Sequence, residues 1–278
     1  IREHCSWVHM HEPEEATEKA KDIVRMSVAR ASLLEPQIEA EVQVEPTALV
    51  IGAGVSGLTT SLCMANQGFN VYLVEKEAEV GGMLISINML YPTGEKASKL
   101  LEPLIKAVRS HPRIQTLTST LIKKVSGYVG NFDVTVLKGG GEGTRFKVGT
   151  IIVATGAREL QPHGMYGYGE YDGVVTQMQL EQLLKEGGVK PKRVVIIQCV
   201  GSRQEKGITY CSRICCMVAV KNGILIKELY PDADIYIIYQ DLQTYGKDYE
   251  EYHRRARDHG IKFIKYEKGR SPEVLRNP

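Results

Sequence analysis

Ala48-Leu49-Val50-Ile51-Gly52-Ala53-Gly54-Val55-Ser56-Gly57 reads as an apolar strand running into a GxGxxG turn that opens a helix. Each glycine has its own task. Gly52 permits the sharp turn out of the strand, Gly54 lets the backbone approach a pyrophosphate, and Gly57 lets helix and strand pack closely. The unpaired amides at the helix start then face the phosphate charge. A glycine-rich turn without a ligand has the same pattern, so the discriminating residue is Glu75. It stands 18 residues past Gly57, at the end of the next apolar run, where a carboxylate accepts ribose hydroxyls. An acid rather than an arginine there favours FAD or NAD over NADP.

Two later signatures separate FAD from NAD. Gly81-Gly82-Met83 follows Glu75 closely and lets the chain run beside a flavin pyrophosphate. Val153-Ala154-Thr155-Gly156 ends a strand and matches a second short motif of two-nucleotide flavoproteins. Either alone is weak, since an Ala-Thr-Gly tripeptide often arises by chance. In this order they favour FAD.

The same strand opening recurs at Arg193-Val194-Val195-Ile196-Ile197. There, however, Gln198-Cys199-Val200-Gly201-Ser202-Arg203 stands where the glycines belong, and Cys211-Ser212-Arg213-Ile214-Cys215-Cys216 follows. Four of the six cysteines fall within 18 positions, a clustering that random scatter rarely produces. The spacing Cys199-x11-Cys211-x3-Cys215-Cys216 is neither the bacterial ferredoxin run nor the separated C-x2-C pairs of a zinc ribbon. Four thiolates on a turn and a helix start can still hold a 4Fe–4S cube, and soft ligands select iron–sulfur or zinc. Free cysteines are also common as small buried apolar residues, which the adjacent Cys215 and Cys216 would suit. The cluster is the preferred reading. A dinucleotide turn overwritten by four cysteines points to a flavoprotein that passes electrons to an iron–sulfur centre instead of exchanging hydride with a nicotinamide. Lys221, five residues past Cys216, is the candidate catalytic residue, a cation placed to stabilise a reduced flavin anion. An ordinary solvated lysine has the same pattern.

Charged residues make up 24% of the 278 and the formal net charge is +2, so no field for nucleic acid or a membrane surface is built in. No apolar run approaches the roughly 18 residues of a spanning helix. The chain opens on Ile1 without a leader pattern, which reads as a processed chain or an internal piece of a longer one. Without an export signal the cysteines are expected to be thiols, ligands or redox groups in a cytoplasmic protein. Cys63 reads as core, and Cys5, among His4, His9 and His11, as part of a structured surface segment rather than a metal corner.

Periodicity predicts an amphipathic helix over 14–34 and a linker over 35–46, then a strand over 48–51 and a helix to about Gln67. A strand over 70–74 and a helix near 95–110 follow, then strands over 114–125, 132–137 and 146–153. Beyond a crossover, a helix is expected over 176–185, a strand over 193–197, a helix after Cys216, a strand over 234–239, a helix over 247–259 and a strand over 261–264.

Several blocks together resemble the flavin-containing A subunit of heterodisulfide reductase and its relatives, over essentially the whole chain. They are Ile1-Arg2-Glu3-His4-Cys5-Ser6-Trp7-Val8-His9, Ala16-Thr17-Glu18-Lys19-Ala20-Lys21-Asp22, Gln67-Gly68-Phe69, Val74-Glu75-Lys76 and, most specifically, the two cysteine blocks. The resemblance implies a thioredoxin-reductase-like flavoprotein fold with FAD and a non-standard 4Fe–4S motif. Residue by residue it implies cofactor contacts from Gly52, Ala53, Gly54, Val55, Ser56, Gly57, Glu75, Lys76, Gly82, Met83, Leu84, Val125, Ala154, Thr155 and Gly156. It implies cluster ligation by Cys199, Cys211, Cys215 and Cys216. The function it implies is FAD-mediated electron transfer, with electron pairs split between a low-potential ferredoxin and a disulfide such as the coenzyme M–coenzyme B heterodisulfide. The partners it implies are the other heterodisulfide reductase subunits, a hydrogenase or formate dehydrogenase, and ferredoxin. Family members carry further domains and ferredoxin-type clusters, so the chain reads as an internal portion of one.

The expected architecture is α/β. An N-terminal segment spans 1–46, an FAD-binding Rossmann domain 47–160, and an inserted second Rossmann-like domain carrying the cluster 161–278. One rival is an ordinary NAD(P)H-dependent disulfide or ferredoxin reductase, which needs a working second glycine turn where Gln198 and Val200 stand. The other is a non-catalytic scaffold module retaining a decayed flavin fold.

Overall fold

The computed structural model describes residues 1–39, 41–141, 143–188 and 190–275. The chain divides into two units, Ile1–Gln43 and Val44–Pro278. The first unit holds a π-helical turn, Arg2–Ser6, and helix α1, Pro13–Ser32. Pro13 stands in the first turn of α1, where its missing N–H costs nothing and its fixed φ already suits the helix. Among the described residues no helix is long and apolar enough to cross a membrane.

In the second unit a parallel sheet of order β3-β2-β1-β7 comprises β1 (Thr47–Ile51), β2 (Asn70–Val74), β3 (Ile114–Leu117) and β7 (Thr150–Val153). Side chains alternate across it. Ala48, Val50, Val71 and Leu73 pack with Leu58 of helix α2 (Val55–Asn66) and with Leu101 and Val108 of helix α3 (Ala97–Ser110). Leu49 and Val74 face the other way, onto an antiparallel sheet of β4 (Thr120–Tyr128), β5 (Asn131–Lys138) and β6 (Gly143–Val148). Tyr72 stacks on Phe146 across that seam at 4.0 Å.

Two expected strands are each divided in the structure. The run 114–125 breaks at Ser119 (φ 50°), which sends β3 and β4 into different sheets. The run 146–153 breaks at Gly149, where a Cβ would lie 2.1 Å from the Glu45 carbonyl oxygen. Both halves of each run keep β alternation, so the pattern carries no mark of the change of sheet.

A second parallel sheet has the order β10-β9-β8, from β8 (Arg193–Ile197), β9 (Asp234–Tyr239) and β10 (Lys262–Lys265). Helix α4 (Gln177–Glu186) begins with a reciprocal capping box between Thr176 and Gln179. Helix α5 (Cys215–Leu229) is apolar nearly all round and correspondingly buried, with Met217, Val220, Ile224 and Ile226 packed among Ile235, Ile237 and Leu180. Helix α6 (Tyr249–Asp258) joins β9 to β10 and buries Tyr252 and Ala256. The strand–helix–strand repeat places the ends of β1 and β8, with their turns, at the carboxyl edges of two parallel sheets, where such folds bind ligands.

Candidate cofactor and cluster site

The three glycines of the first turn answer to different constraints. Gly52 has φ +100°, and a Cβ there would lie 2.4 Å from the Ala154 carbonyl oxygen. A Cβ on Gly57 would sit 1.8 Å from the Gly52 carbonyl oxygen. Packing alone therefore requires both. Gly54 is different: its φ −74° and ψ −176° suit any residue, and a Cβ would meet only the Gly82 Cα, at 4.0 Å. Neither backbone nor packing demands glycine at 54. The bare face it leaves is a cradle that a side chain would fill.

Glu75 is buried beside this cradle. Ala53 donates its N–H to Glu75 Oε2 at 2.7 Å, and Glu77 donates its N–H to Oε1 at 3.0 Å. An ionised carboxylate has about four acceptor positions, so two remain for hydroxyl groups. Val55 and Ser56 open α2 with their side chains exposed, and Lys76 is exposed and pairs with Glu77 at 3.2 Å. Gly82 (φ +57°) opposes Gly54, followed by exposed Met83 and by Leu84, which packs on the α2–α3 core. Ala154 backs Gly52, and Thr155 and Gly156 continue past β7 as exposed residues. Val125 stands apart from these. It is exposed in β4 opposite Val134, five residues beyond the Thr120 N–H that bonds the Glu75 carbonyl, or about 16 Å of strand.

At the second turn the Gln198 N–H bonds the Ile238 carbonyl at 2.8 Å and extends the β8–β9 pairing by one residue. The chain then enters the left-handed region at Cys199 (φ 63°), Gly201 (φ 66°), Arg203 (φ 58°) and Arg213 (φ 65°). Such backbone costs on the order of 1–3 kcal/mol at each non-glycine residue and collects at ligand clamps. Cys199 and Cys216 are buried, Cys211 and Cys215 half-buried.

Each of the four sulfurs has a donor aimed at it. Burial pushes the Cys199 thiol up, opposed by hydrogen bonds from the Arg203 guanidinium and the Gln240 backbone N–H. Arg213 donates its N–H to Cys211 Sγ at 3.3 Å. Cys215 is pulled down to about 6, chiefly by the hydrogen bond from Cys216, with help from the Ser212 hydroxyl and the backbone N–H groups of Cys215 and Cys199. Cys216, the donor of that pair, is pushed up by it and by burial, opposed by a hydrogen bond from the Gln243 backbone N–H. A shell of N–H and O–H donors suits thiolates and is what tunes an iron–sulfur centre. A single tetrahedral zinc, with Zn–S of about 2.3 Å, needs sulfurs within about 4 Å of one another. Among the described residues the only such three-ligand group within 4.8 Å is His9, Glu12 and Glu15, so no three of these sulfurs form a single-ion site. The donor set fits a cluster better than an ion.

Lys221 has contacts that sequence spacing did not reveal. It is buried in α5, and its Nζ pairs with Glu181 Oε1 of α4. Burial pulls its ammonium down to about 8, and the adjacent carboxylate opposes that pull. Glu181 Oε2 also accepts the Asn88 N–H at 3.0 Å, and the Asn88 side chain donates to the Glu181 carbonyl at 2.8 Å. Lys221 is thus a buried, paired cation that links α5 through α4 to the segment after Gly82. Glu181→Ala is expected to destabilise the protein by about 3–5 kcal/mol, because it leaves a buried charge unpaired. Glu181→Leu combined with Lys221→Met should recover most of that in denaturant melts. A double variant as unstable as the single one would show that the two do not act as a pair.

Of the remaining cysteines, Cys63 is exposed on α2 instead of lying in the core, and Gln67 Nε2 donates to its sulfur at 3.4 Å. Its place within the helix after the glycine turn suggested burial, but it falls on the outer face of that helix. Cys5 is buried, and His9 pairs with Glu12 at 2.9 Å.

Comparison with known proteins then places the chain. The family model described as pyridine nucleotide-disulphide oxidoreductase matches residues 46–197, from the approach to β1 to the last residue of β8. The chain belongs to that family. Among its curated relatives is an iron–sulfur A subunit of the CoB–CoM heterodisulfide reductase of Methanopyrus kandleri, 38% identical over all of this chain and 56% of that protein. The A subunit of the H2:CoB–CoM heterodisulfide, ferredoxin reductase of Methanothermobacter marburgensis is 36% identical over all of this chain and 56% of its own length. Its H2/formate counterpart in Methanococcus maripaludis is 35% identical over the same shares. The resemblance read from the cysteine blocks is borne out. The chain spans about half the length of these relatives, and the first alignment runs over 374 positions against the chain's 278 residues. In fold, the family member is similar to the thioredoxin reductases of T. acidophilum and Lactococcus lactis. Each has a TM-score of 0.50 and 17% identity over 80% of this chain and 64% of the other.

Proposed function

We propose that the chain is the flavin- and cluster-bearing part of an electron-transfer component in a heterodisulfide-reductase-type complex. One observation carries this reading. A family match that includes the first glycine turn ends at Ile197, and the next residues form a cysteine turn whose sulfurs are all supplied with donors. Gly54 and Gly82 would flank the FAD pyrophosphate, Glu75 would accept its ribose hydroxyls, and the amides at the start of α2 would meet the phosphate charge. Cys199, Cys211, Cys215 and Cys216 would hold one 4Fe–4S cluster. Bound there, FAD would accept an electron pair and release electrons singly, and the cluster would carry them one at a time. The proposed setting is flavin-based bifurcation between a ferredoxin and a disulfide, with a hydrogenase or formate dehydrogenase as electron source, since relatives carry ferredoxin, H2 and formate in their names.

Absorption of anaerobically purified protein tests this directly. Flavin bands with a broad shoulder from iron–sulfur charge transfer are expected. Flavin alone would favour the ordinary reductase, and neither would favour the scaffold. NADH and NADPH are expected not to bleach the flavin, because Gln198 is buried under Tyr266, whose hydroxyl bonds its carbonyl at 2.9 Å, and the cysteine turn occupies the place of a pyrophosphate loop. Rapid bleaching by either at micromolar concentration would return the chain to nicotinamide-dependent chemistry.

A further inference from the structure

In a nucleotide-binding βαβ unit the acid after the second strand serves the ribose. Glu75 has that place after β2, and Asp241, two residues past the end of β9, has its counterpart in the second unit. The two carboxylates are used differently. Glu75 takes backbone N–H groups and keeps acceptor positions open. Asp241 takes an arginine: Arg203 Nη2 donates to its Oδ2 at 2.6 Å, while Lys265 Nζ lies 3.9 Å from Oδ1. The other arm of the same guanidinium, Nη1, points at Cys199 Sγ at 3.9 Å. Among the described residues this is the one side-chain cation with a hydrogen bond to any of the four sulfurs.

The loop is shaped to hold that arrangement. Arg203 adopts left-handed backbone, which a non-glycine residue takes only when its surroundings enforce it. Its N–H bonds the Tyr210 carbonyl at 3.3 Å and the Gln204 N–H bonds the Ile208 carbonyl at 3.1 Å, closing the 203–210 loop on itself. Asp241 belongs to the same framework through its backbone, since its carbonyl oxygen lies 3.7 Å from Cys216 Sγ. One aspartate therefore fixes a guanidinium against one of the four sulfurs and has its backbone beside another.

We infer that Arg203, oriented by Asp241, is a positioning residue that sets the reduction potential of the cluster through its charge and its hydrogen bond to Cys199. The inference rests on the cluster reading above. Adding one electron to a four-thiolate cluster takes its net charge from about −2 to −3, and a fixed cation with an N–H on a ligand sulfur favours that more negative state. The acid that would have selected a nicotinamide ribose has become the anchor of the cluster's only cationic donor among the described residues, which deepens the change from hydride to single-electron chemistry.

The test is a mediated redox titration of the anaerobic protein, followed by electron paramagnetic resonance, with iron and flavin measured on the same samples. Arg203→Met is expected to keep iron and flavin and to lower the reduced-to-oxidised ratio of the cluster about tenfold at a fixed poise. For one electron that is about 59 mV towards more negative potential. Arg203→Lys, which keeps the charge, should return most of the shift. Iron lost from the Met variant but kept by the Lys variant would overturn the inference in favour of a charge that holds the cluster in place rather than one that tunes its potential. An unchanged midpoint in an iron-replete Met variant would overturn it while leaving the cluster in place. Iron lost from both variants would overturn it in favour of a purely structural loop residue. A parent protein without iron would sink the cluster reading itself, a result none of the variants can mimic.

Discussion

Gly54→Val is expected to yield a folded protein that has lost its flavin. The backbone at this position lies in the extended region open to valine, and the added Cβ would meet nothing closer than the Gly82 Cα at 4.0 Å. The branched side chain would instead fill the cradle proposed for the pyrophosphate. Affinity should fall at least about a hundredfold, or about 2.8 kcal/mol, read as flavin per chain after gel filtration and by titration with FAD. The thermal transition of the apo-protein should barely move. Gly57→Ala supplies the contrast: its Cβ would sit 1.8 Å from the Gly52 carbonyl oxygen, so the fold itself should fail. Full flavin occupancy in Gly54→Val would show that the turn is only structural.

Serine at both Cys215 and Cys216 should remove the cluster, taking iron from about four per chain to near zero. Two of four ligands are lost at once, and one of them is Cys215, pulled down to about 6 chiefly by its neighbour Cys216 with help from the Ser212 hydroxyl. Serine at Cys63 should leave iron unchanged, because that thiol lies exposed on the outer face of α2. Flavin content in the double variant separates the two cofactors. It should persist, since among the described residues none around Gly54 is joined to the cysteine loop by a hydrogen bond. Iron that survived the double substitution would remove the ligand assignment and the electron-transfer reading built on it.

Both turns are legible in the sequence because their chemistry is local. β1 runs Thr47–Ile51 and β8 Arg193–Ile197, as the apolar runs implied, and the helix expected over 176–185 runs Gln177–Glu186. Periodicity failed where one alternating run serves two sheets, at Ser119 and Gly149, since alternation records a pleat and not the partner across it. Lys221 shows the same limit at the site. Its spacing from Cys216, which allows an approach to a flavin, gave no sign of its partner Glu181, 40 residues earlier. The one hint was a carboxylate set between the buried Leu180 and Leu184.

By itself the sequence determined the strand–glycine–helix turn, the four cysteines in place of its repeat and the acid at Glu75, because each depends on neighbours a few bonds or one helical turn away. Only the tertiary structure decided that Gly54 is bare for no reason of packing. It alone paired Arg203 with Asp241 across 38 residues and aimed backbone amides of Gln240 and Gln243 at sulfurs far from them in sequence. Those arrangements depend on which sheet edges and helices meet, and a hydrogen bond between distant segments leaves no period in either one.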